Sequence, residues 1–314
     1  ITAGNNSGNI TIASIVDDVI DENNETVIVT LSSPTNATLG TSTTHTYTIN
    51  DNDASPTIAF NSTTSSGAES TTSANVQVNL SAISGRDVTV DYVVSGTATG
   101  SGTDYTLADG TLTLNAGETT KNISIANIVD DAILEANETI IITLSNPSNA
   151  TLGTNTVHTY TINDNDSASV TIADVSGNEN DGNITVTATL NNAVQGGFTV
   201  DVNTADGTAT TADSDYTAIT SQTLTFTGSA GETQTFTITP TADTKVEANE
   251  TLTVSMNNLA STTLGVTITD TATITINNDD VAIPTISFSN TSSSGLESVN
   301  SKDIEVALSA VSAS

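Results

Sequence analysis

Two parts of this chain repeat one pattern displaced by a fixed interval. Asp17-Asp18-Val19-Ile20-Asp21-Glu22, followed by Asp51-Asn52-Asp53, returns as Asp130-Asp131-Ala132-Ile133-Leu134-Glu135 and Asp164-Asn165-Asp166, an offset of 113 at both places. Ile58-Ala59-Phe60, Ile172-Ala173-Asp174 and Ile286-Ser287-Phe288 recur at a spacing of 114. Self-similarity at one period means a tandem array of a single structural unit, so each unit must close its own core within one period. The frame gives complete repeats at 54–166 and 167–280, the latter part of a repeat at 1–53 and the opening of another at 281–314. Joined end to end, the two fragments would still lack the counterpart of 87–113, and the chain reads as a piece of a longer array.

Inside 54–166, strand-like runs fall at 57–60, 75–81, 87–95, 111–114, 119–128, 138–145 and 156–163. Val76-Gln77-Val78-Asn79-Leu80 and Val88-Thr89-Val90-Asp91-Tyr92 alternate apolar and polar residues with period two, and Ser84-Gly85, Asp109-Gly110 and Ala116-Gly117-Glu118 supply turns between runs. Helical periodicity is absent. About seven short strands with no helix to cross between parallel neighbours predict an all-β unit, an antiparallel Greek-key sandwich of immunoglobulin-like type, repeated in tandem. Without Trp and with 3% aromatic residues, its core has to be aliphatic.

The charge is one-sided: 36 Asp and Glu face 4 Lys and Arg, a formal net charge of −32. Arg86, Lys121, Lys245 and Lys302 cannot build a surface for nucleic acid or anionic lipid, which needs clustered cations. No run approaches the roughly 18 apolar residues of a membrane span, so direct membrane insertion is not expected. Cys is absent, which rules out disulfides and leaves only His45 and His158 as soft ligands, so a zinc site of the usual N/S kind is excluded by supply. Acid delivered to fixed loop positions points instead to a hard cation. Calcium accepts six to eight oxygen ligands in irregular geometry, whereas magnesium keeps several waters and ranks second.

The residues also carry a family resemblance. Val129 to Thr139 (VDDAILEANET), Leu144-Ser145-Asn146-Pro147, Ala150-Thr151-Leu152-Gly153 and Tyr160 to Asp166 (YTINDND) resemble the signature of the Calx-beta domain, and the likeness extends through Gly96-Thr97-Ala98, Asp104-Tyr105-Thr106 and Glu69. This family is an immunoglobulin-like sandwich that binds calcium at one end through loop carboxylates, known from sodium/calcium exchangers, integrin β4 and bacterial surface proteins. The resemblance implies Glu69, Asp104, Asp130, Asp131, Glu135, Asp164 and Asp166 as ligands in 54–166, with Asn165 as a further candidate and Ile133 through its carbonyl, for two or more ions. In 1–53 it implies Asp17, Asp18, Glu22, Asp51 and Asp53, cut off from counterparts of Glu69 and Asp104. In 167–280 it implies Glu179, Asp215, Asp243, Glu247, Asp279 and Asp280. There Ala242 stands opposite Asp130, Lys245 opposite Ile133 and Asn278 opposite Asp164, so fewer or weaker ions are expected.

Glu25, Glu138 and Glu250, each in an Asn-Glu-Thr triplet, read as structural residues at a strand entry and stay outside the ligand set. Gly96, Gly100 and Gly102 precede no helix, which excludes a phosphate cradle. Paired carboxylates can serve a glycosidase, but the same pairs recur in every unit whereas an active site is built once, so no enzyme is expected. The Thr-, Asn- and Ser-rich, Cys-free style resembles giant secreted bacterial adhesins, including gliding-motility adhesins. The expected role is an extracellular, cell-surface stalk: neighbouring repeats stiffened by calcium, with glycans or proteins contacted through other parts of the parent protein. A calcium-sensing regulatory domain and a direct glycan- or protein-binding module are the alternatives. Low aromatic content argues against a sugar platform.

Overall fold

The computed structural model describes residues 1–309, so the end of the 281–314 fragment lies outside the described residues. Two compact bodies result: 1–131 with 136–165, and 132–135 with 166 onward.

In the first body, one sheet orders Thr64–Ala68, Val157–Asn163, Glu138–Ser148, Val88–Gly96 and Gly110–Leu114; the other orders Thr151–Leu152, Thr57–Phe60, Ser73–Leu80 and Thr120–Ala126. Alternation decides the faces. Val76, Val78 and Leu80 are buried while Gln77 is exposed, and they share a core with Val88, Val90, Leu114, Ile123, Ile125, Ile140, Ile142 and Leu144 from both sheets. Since side chains on a strand alternate sides, a slip of one residue would turn the whole apolar set outward, which fixes the register. Residues 1–53 add the antiparallel pair Glu25–Thr30 and Thr44–Ile49.

The second body repeats the plan. Val175–Asn178, Thr271–Asn277, Glu250–Ala260, Phe198–Asp206 and Gln222–Phe226 form one sheet; Val170–Ile172, Ile184–Leu190, Thr233–Pro240 and Tyr216–Thr217 form the other. Its core adds a stacked aromatic pair, Phe198 and Phe226, with ring centroids 5.0 Å apart. Residues beyond 280 contribute the pair Ile286–Phe288 and Val306–Leu308.

Each expected run in 54–166 is a strand, and the fold is the expected tandem of all-β sandwiches. Three short strands were not expected, Thr64–Ala68, Ile133–Leu134 and Thr151–Leu152. Thr64–Ala68 has no large apolar residue, so periodicity gives it no signal, yet it pairs with Val157–Asn163, and it does so in parallel. His158, buried in that strand, bonds through Nδ1 to the Ser62 carbonyl and through Nε2 to Ser65 Oγ, both at 2.8 Å, which anchors the extra strand. Gly96 takes φ +133°, where any Cβ would meet the Thr139 carbonyl oxygen at 2.0 Å.

Candidate metal centre

The parallel strand is what brings distant acids together. Ala68 lies opposite Asn163, so the two strands leave the sheet at the same end and release Glu69 beside Asp164. Their carboxylate oxygens come within 4.8 Å, with Glu69 buried. In the second body Asn178 lies opposite Asn277 in the same parallel sense, and the chain passes directly into the 3-10 turn Glu179–Asp181 beside Asn278-Asp279-Asp280. Residues about a hundred positions apart therefore meet by the direction of one edge strand.

The second body gathers two groups. Glu179, Asp243 and Asp280 hold carboxylate oxygens within 4.8 Å of one another, as do Asp215, Glu247 and Glu250. Members of both groups line one cleft of about 10 Å³, close to the room one water-sized sphere requires. Asp215 is placed there by Thr210 N donating to its Oδ2 at 2.7 Å and Thr241 N donating to its carbonyl at 2.9 Å. Asp243 Oδ1 accepts from Lys245 N at 2.6 Å, and Lys245 Nζ pairs with Glu247 Oε1. Asp279 accepts from Asn180 Nδ2 at 2.5 Å.

Electrostatics mark this end as short of positive charge. Burial above all, then the charges of Asp280, Asp243 and Asp279, raises the Glu179 carboxyl above its ordinary value. Burial, then Asp215, raises Glu250, with Lys245 opposing. Among the described residues, Glu179 Oε1 and Asp280 Oδ2 are buried and have no hydrogen-bond partner. Two such carboxylates are reconciled either by a shared proton or by a cation. The oxygen-only donor set fits calcium.

Apart from Glu69 and Asp164, the first body places its residues more openly. Asp104 accepts from Thr99 N at 2.5 Å and is tied to the acidic loop by Val129 N, which donates to its carbonyl at 3.0 Å. Asp130 and Asp131 are exposed, and Asn165 Nδ2 reaches Asp130 Oδ1 at 3.5 Å. Ile133, Glu135 and Asp166 are counted with the second body. There Glu135 accepts from Gln195 Nε2 at 3.1 Å, and Asp166 buries an Oδ2 that has no hydrogen-bond partner. In 1–53, Asp17, Asp18, Glu22, Asp51 and Asp53 line a cavity of about 120 Å³ together with Glu25. Burial first, then surrounding carboxylates, raises both Glu22 and Asp53.

Two features escaped the sequence reading. Glu250 belongs to an acidic group: it opens the strand Glu250–Ala260 opposite Ile276, two residues before Asn278, a position that no local pattern reveals. The Asn of each Asn-Glu-Thr triplet also has a task. Asn24, Asn137 and Asn249 accept through Oδ1 from the backbone N–H of Asp51, Asp164 and Asn278, at 3.0, 3.1 and 3.2 Å, and pin the closing acidic motif. The threefold recurrence of the triplet was the available signal.

The description "Calx-beta domain" matches residues 2–53, 51–174 and 161–280. Among solved structures, the chain is similar to CBD12 from CALX1.2 at 18% identity, covering 70% of this chain and 99% of that one with a TM-score of 0.33. It is similar to the calcium binding domain CBD12 of CALX1.1 at 20% identity, covering 64% and 79% with a TM-score of 0.33. The apo-form Calx CBD1 domain shares 22% identity, with 37% and 100% covered and a TM-score of 0.32. No curated protein sequence matches the chain.

Proposed function

The chain belongs to the Calx-beta domain family, and from that premise we propose that it is a calcium-binding stalk segment of a secreted bacterial surface adhesin, stiffened where calcium fills its acidic loop ends. The observation that carries this is the second-body cluster, where Glu179 Oε1 and Asp280 Oδ2 are buried among carboxylates without a donor. Such a cluster stores repulsion in the absence of a cation and becomes a set of fixed ligands in its presence. In 167–280 the ligands are Glu179, Asp215, Asp243, Glu247, Asp279 and Asp280 with Glu250 added. In 54–166 they are Glu69, Asp104, Asp130, Asp131 and Asp164, with Ile133, Glu135, Asn165 and Asp166. The acids of 1–53 form a third, partial set.

A stalk is supported by the recurrence of one unit and by short connections that carry proline, Asp53-Ala54-Ser55-Pro56 and Asp280-Val281-Ala282-Ile283-Pro284, which limit backbone freedom. Among the described residues no helix is long and apolar enough to cross a membrane. Adhesive contacts are assigned to other parts of the parent protein, because little aromatic surface exists here to stack a sugar. Small-angle scattering of the whole chain with calcium and with chelator tests the proposal. A more compact or more variable particle without calcium is expected; identical dimensions and protease sensitivity in both buffers would overturn it.

A further inference from the structure

Beside the acidic clusters, the residue just before the last glutamate is engaged in a contact of its own in two of the acidic loops, at Asp21 and Leu134. In the first body it is Asp21, a charged residue only 3% exposed. Its carbonyl accepts from Gly85 N at 2.9 Å, and it bridges in parallel with Ser84. Its carboxylate receives Arg86 Nε at 3.0 Å, Ser55 Oγ at 3.1 Å, Ser84 Oγ at 3.2 Å and a further contact from Arg86 Nη2. The chain has four Lys and Arg in all, and one of them is committed to this single carboxylate.

In the second body the equivalent residue is Leu134. Its carbonyl accepts from Gln195 N at 3.0 Å, and Ile133–Leu134 pairs in parallel with Ala193–Val194. The backbone arrangement is the one made by Asp21, with Val194 in the place of Ser84 and Gln195 in the place of Gly85. The side-chain chemistry is opposite: Leu134 and Val194 are both buried members of the apolar core. The following glutamate changes with it. Glu22 lies so close to Gly85 that a Cβ there would meet its Cγ at 2.8 Å, whereas Glu135 accepts from the longer Gln195 side chain at 3.1 Å.

We propose that this plug and the loop receiving it form a recognition code between successive repeats: an acidic plug, Asp21, is read by Ser84-Gly85-Arg86, and an apolar plug, Leu134, by Val194-Gln195. The shared backbone bonds hold any plug. The side chains decide which one. Leucine at 21 would leave the Arg86 guanidinium half-buried with no carboxylate, and aspartate at 134 would set a carboxylate against Val194, so a wrong neighbour is rejected by an unpaired charge and not merely by a missing attraction. The proposal deepens the stalk reading, on which it rests for the succession of repeats, and it makes no use of calcium.

Hydrogen exchange on the whole chain tests it, read at the Gly85 and Gln195 amides with Val78 and Val186 reporting each core. Asp21→Leu is expected to lower Gly85 protection by at least about tenfold, the scale of a broken buried ion pair. Adding Ser84→Val, Gly85→Gln and Arg86→Gly, the apolar receiver, is expected to restore it to within about threefold, which is less than 1 kcal/mol. Leu134→Asp should do to Gln195 what Asp21→Leu does to Gly85. If Asp21→Leu disturbs Val78, Asp21→Asn, which keeps the shape and loses the charge, is expected to show a smaller loss confined to Gly85. Unchanged Gly85 protection in the single variants, or no recovery with the matched loop while Val78 stays protected, would overturn the code. Each comparison is made within one buffer, so failure of the calcium stalk, read by scattering with and without chelator, remains a separate result.

Discussion

The repeats 54–166 and 167–280 share a topology and differ in how they manage acid. The first leaves Asp130 and Asp131 exposed on a full complement of loop carboxylates. The second has lost one carboxylate at Ala242 and gained Lys245, yet it gathers Glu179 with Asp243 and Asp280, and Asp215 with Glu247 and Glu250, and all of these but Asp280 line one narrow cleft. A site poorer in acid by sequence is thus closely gathered in space. What sets the strain of a cluster is the burial of its members and the donors left over, more than the number of carboxylates in the loop.

The largest effect that could break this comparison is calcium itself. At a hundredfold excess over Kd, each filled site stabilises its body by about 2.7 kcal/mol. Calorimetric melting with calcium and with chelator should therefore show a clear rise in Tm, reduced selectively by Asp164→Asn in the first body and Asp243→Asn in the second. Equal calcium stoichiometry lost from both variants would erase the distinction between the sites.

Next comes Glu179→Gln, which keeps the shape and removes a buried charge. Without calcium it should stabilise the second body, by about 1 to 3 kcal/mol for a group of this kind. With calcium it should destabilise by removing a ligand. The reversal of sign between buffers is the diagnostic result, read by denaturant titration.

A pH series sharpens the same point. The folded state raises the Glu179 and Glu250 carboxyls, so folding takes up protons above the ordinary glutamate pKa, and apo stability contributed by these groups is full below that value and falls as pH rises through their raised values. Asp21 behaves oppositely. Arg86 above all holds its carboxyl below the ordinary value, so its contribution is present at neutral pH and is lost as pH falls through that lowered value. Calcium should flatten the rising-pH loss and leave the low-pH loss in place.

Two smaller tests follow. Asn137→Ala and Asn249→Ala each remove one pinning hydrogen bond and should cost about 1 kcal/mol apiece, seen as weaker calcium binding in both bodies. Lys245→Ala breaks a pair whose ammonium side is 73% exposed, worth no more than about 1 kcal/mol. It should tighten calcium binding in the second body a few-fold by removing a competing cation, and no change in titration would show that Lys245 leaves the cluster unneutralised.

Much of the fold was legible because the signals were local. Val76, Val78 and Leu80 alternate along one strand, and the turns carry Gly and Asp. The strand Thr64–Ala68 was silent because Thr, Ser, Gly and Ala offer no contrast between faces. The same silence hid the site's construction, since that strand's parallel pairing delivers Glu69 to Asp164. Glu250 looked structural because Asp215, which joins it and Glu247 in the cluster, arrives from a different loop.

The sequence by itself determined the tandem repetition, the all-β class, the aliphatic core and the placing of acid on loops. It did so because composition, period and alternation act over a few residues or recur at a fixed interval. Only the tertiary structure decided which acids share a cleft, that Glu250 joins them, and that Asp21 is spent on Arg86 while Leu134 enters a core. Strand direction and the burial of a charge depend on contacts spanning tens to about a hundred residues, and no short stretch of sequence contains both partners.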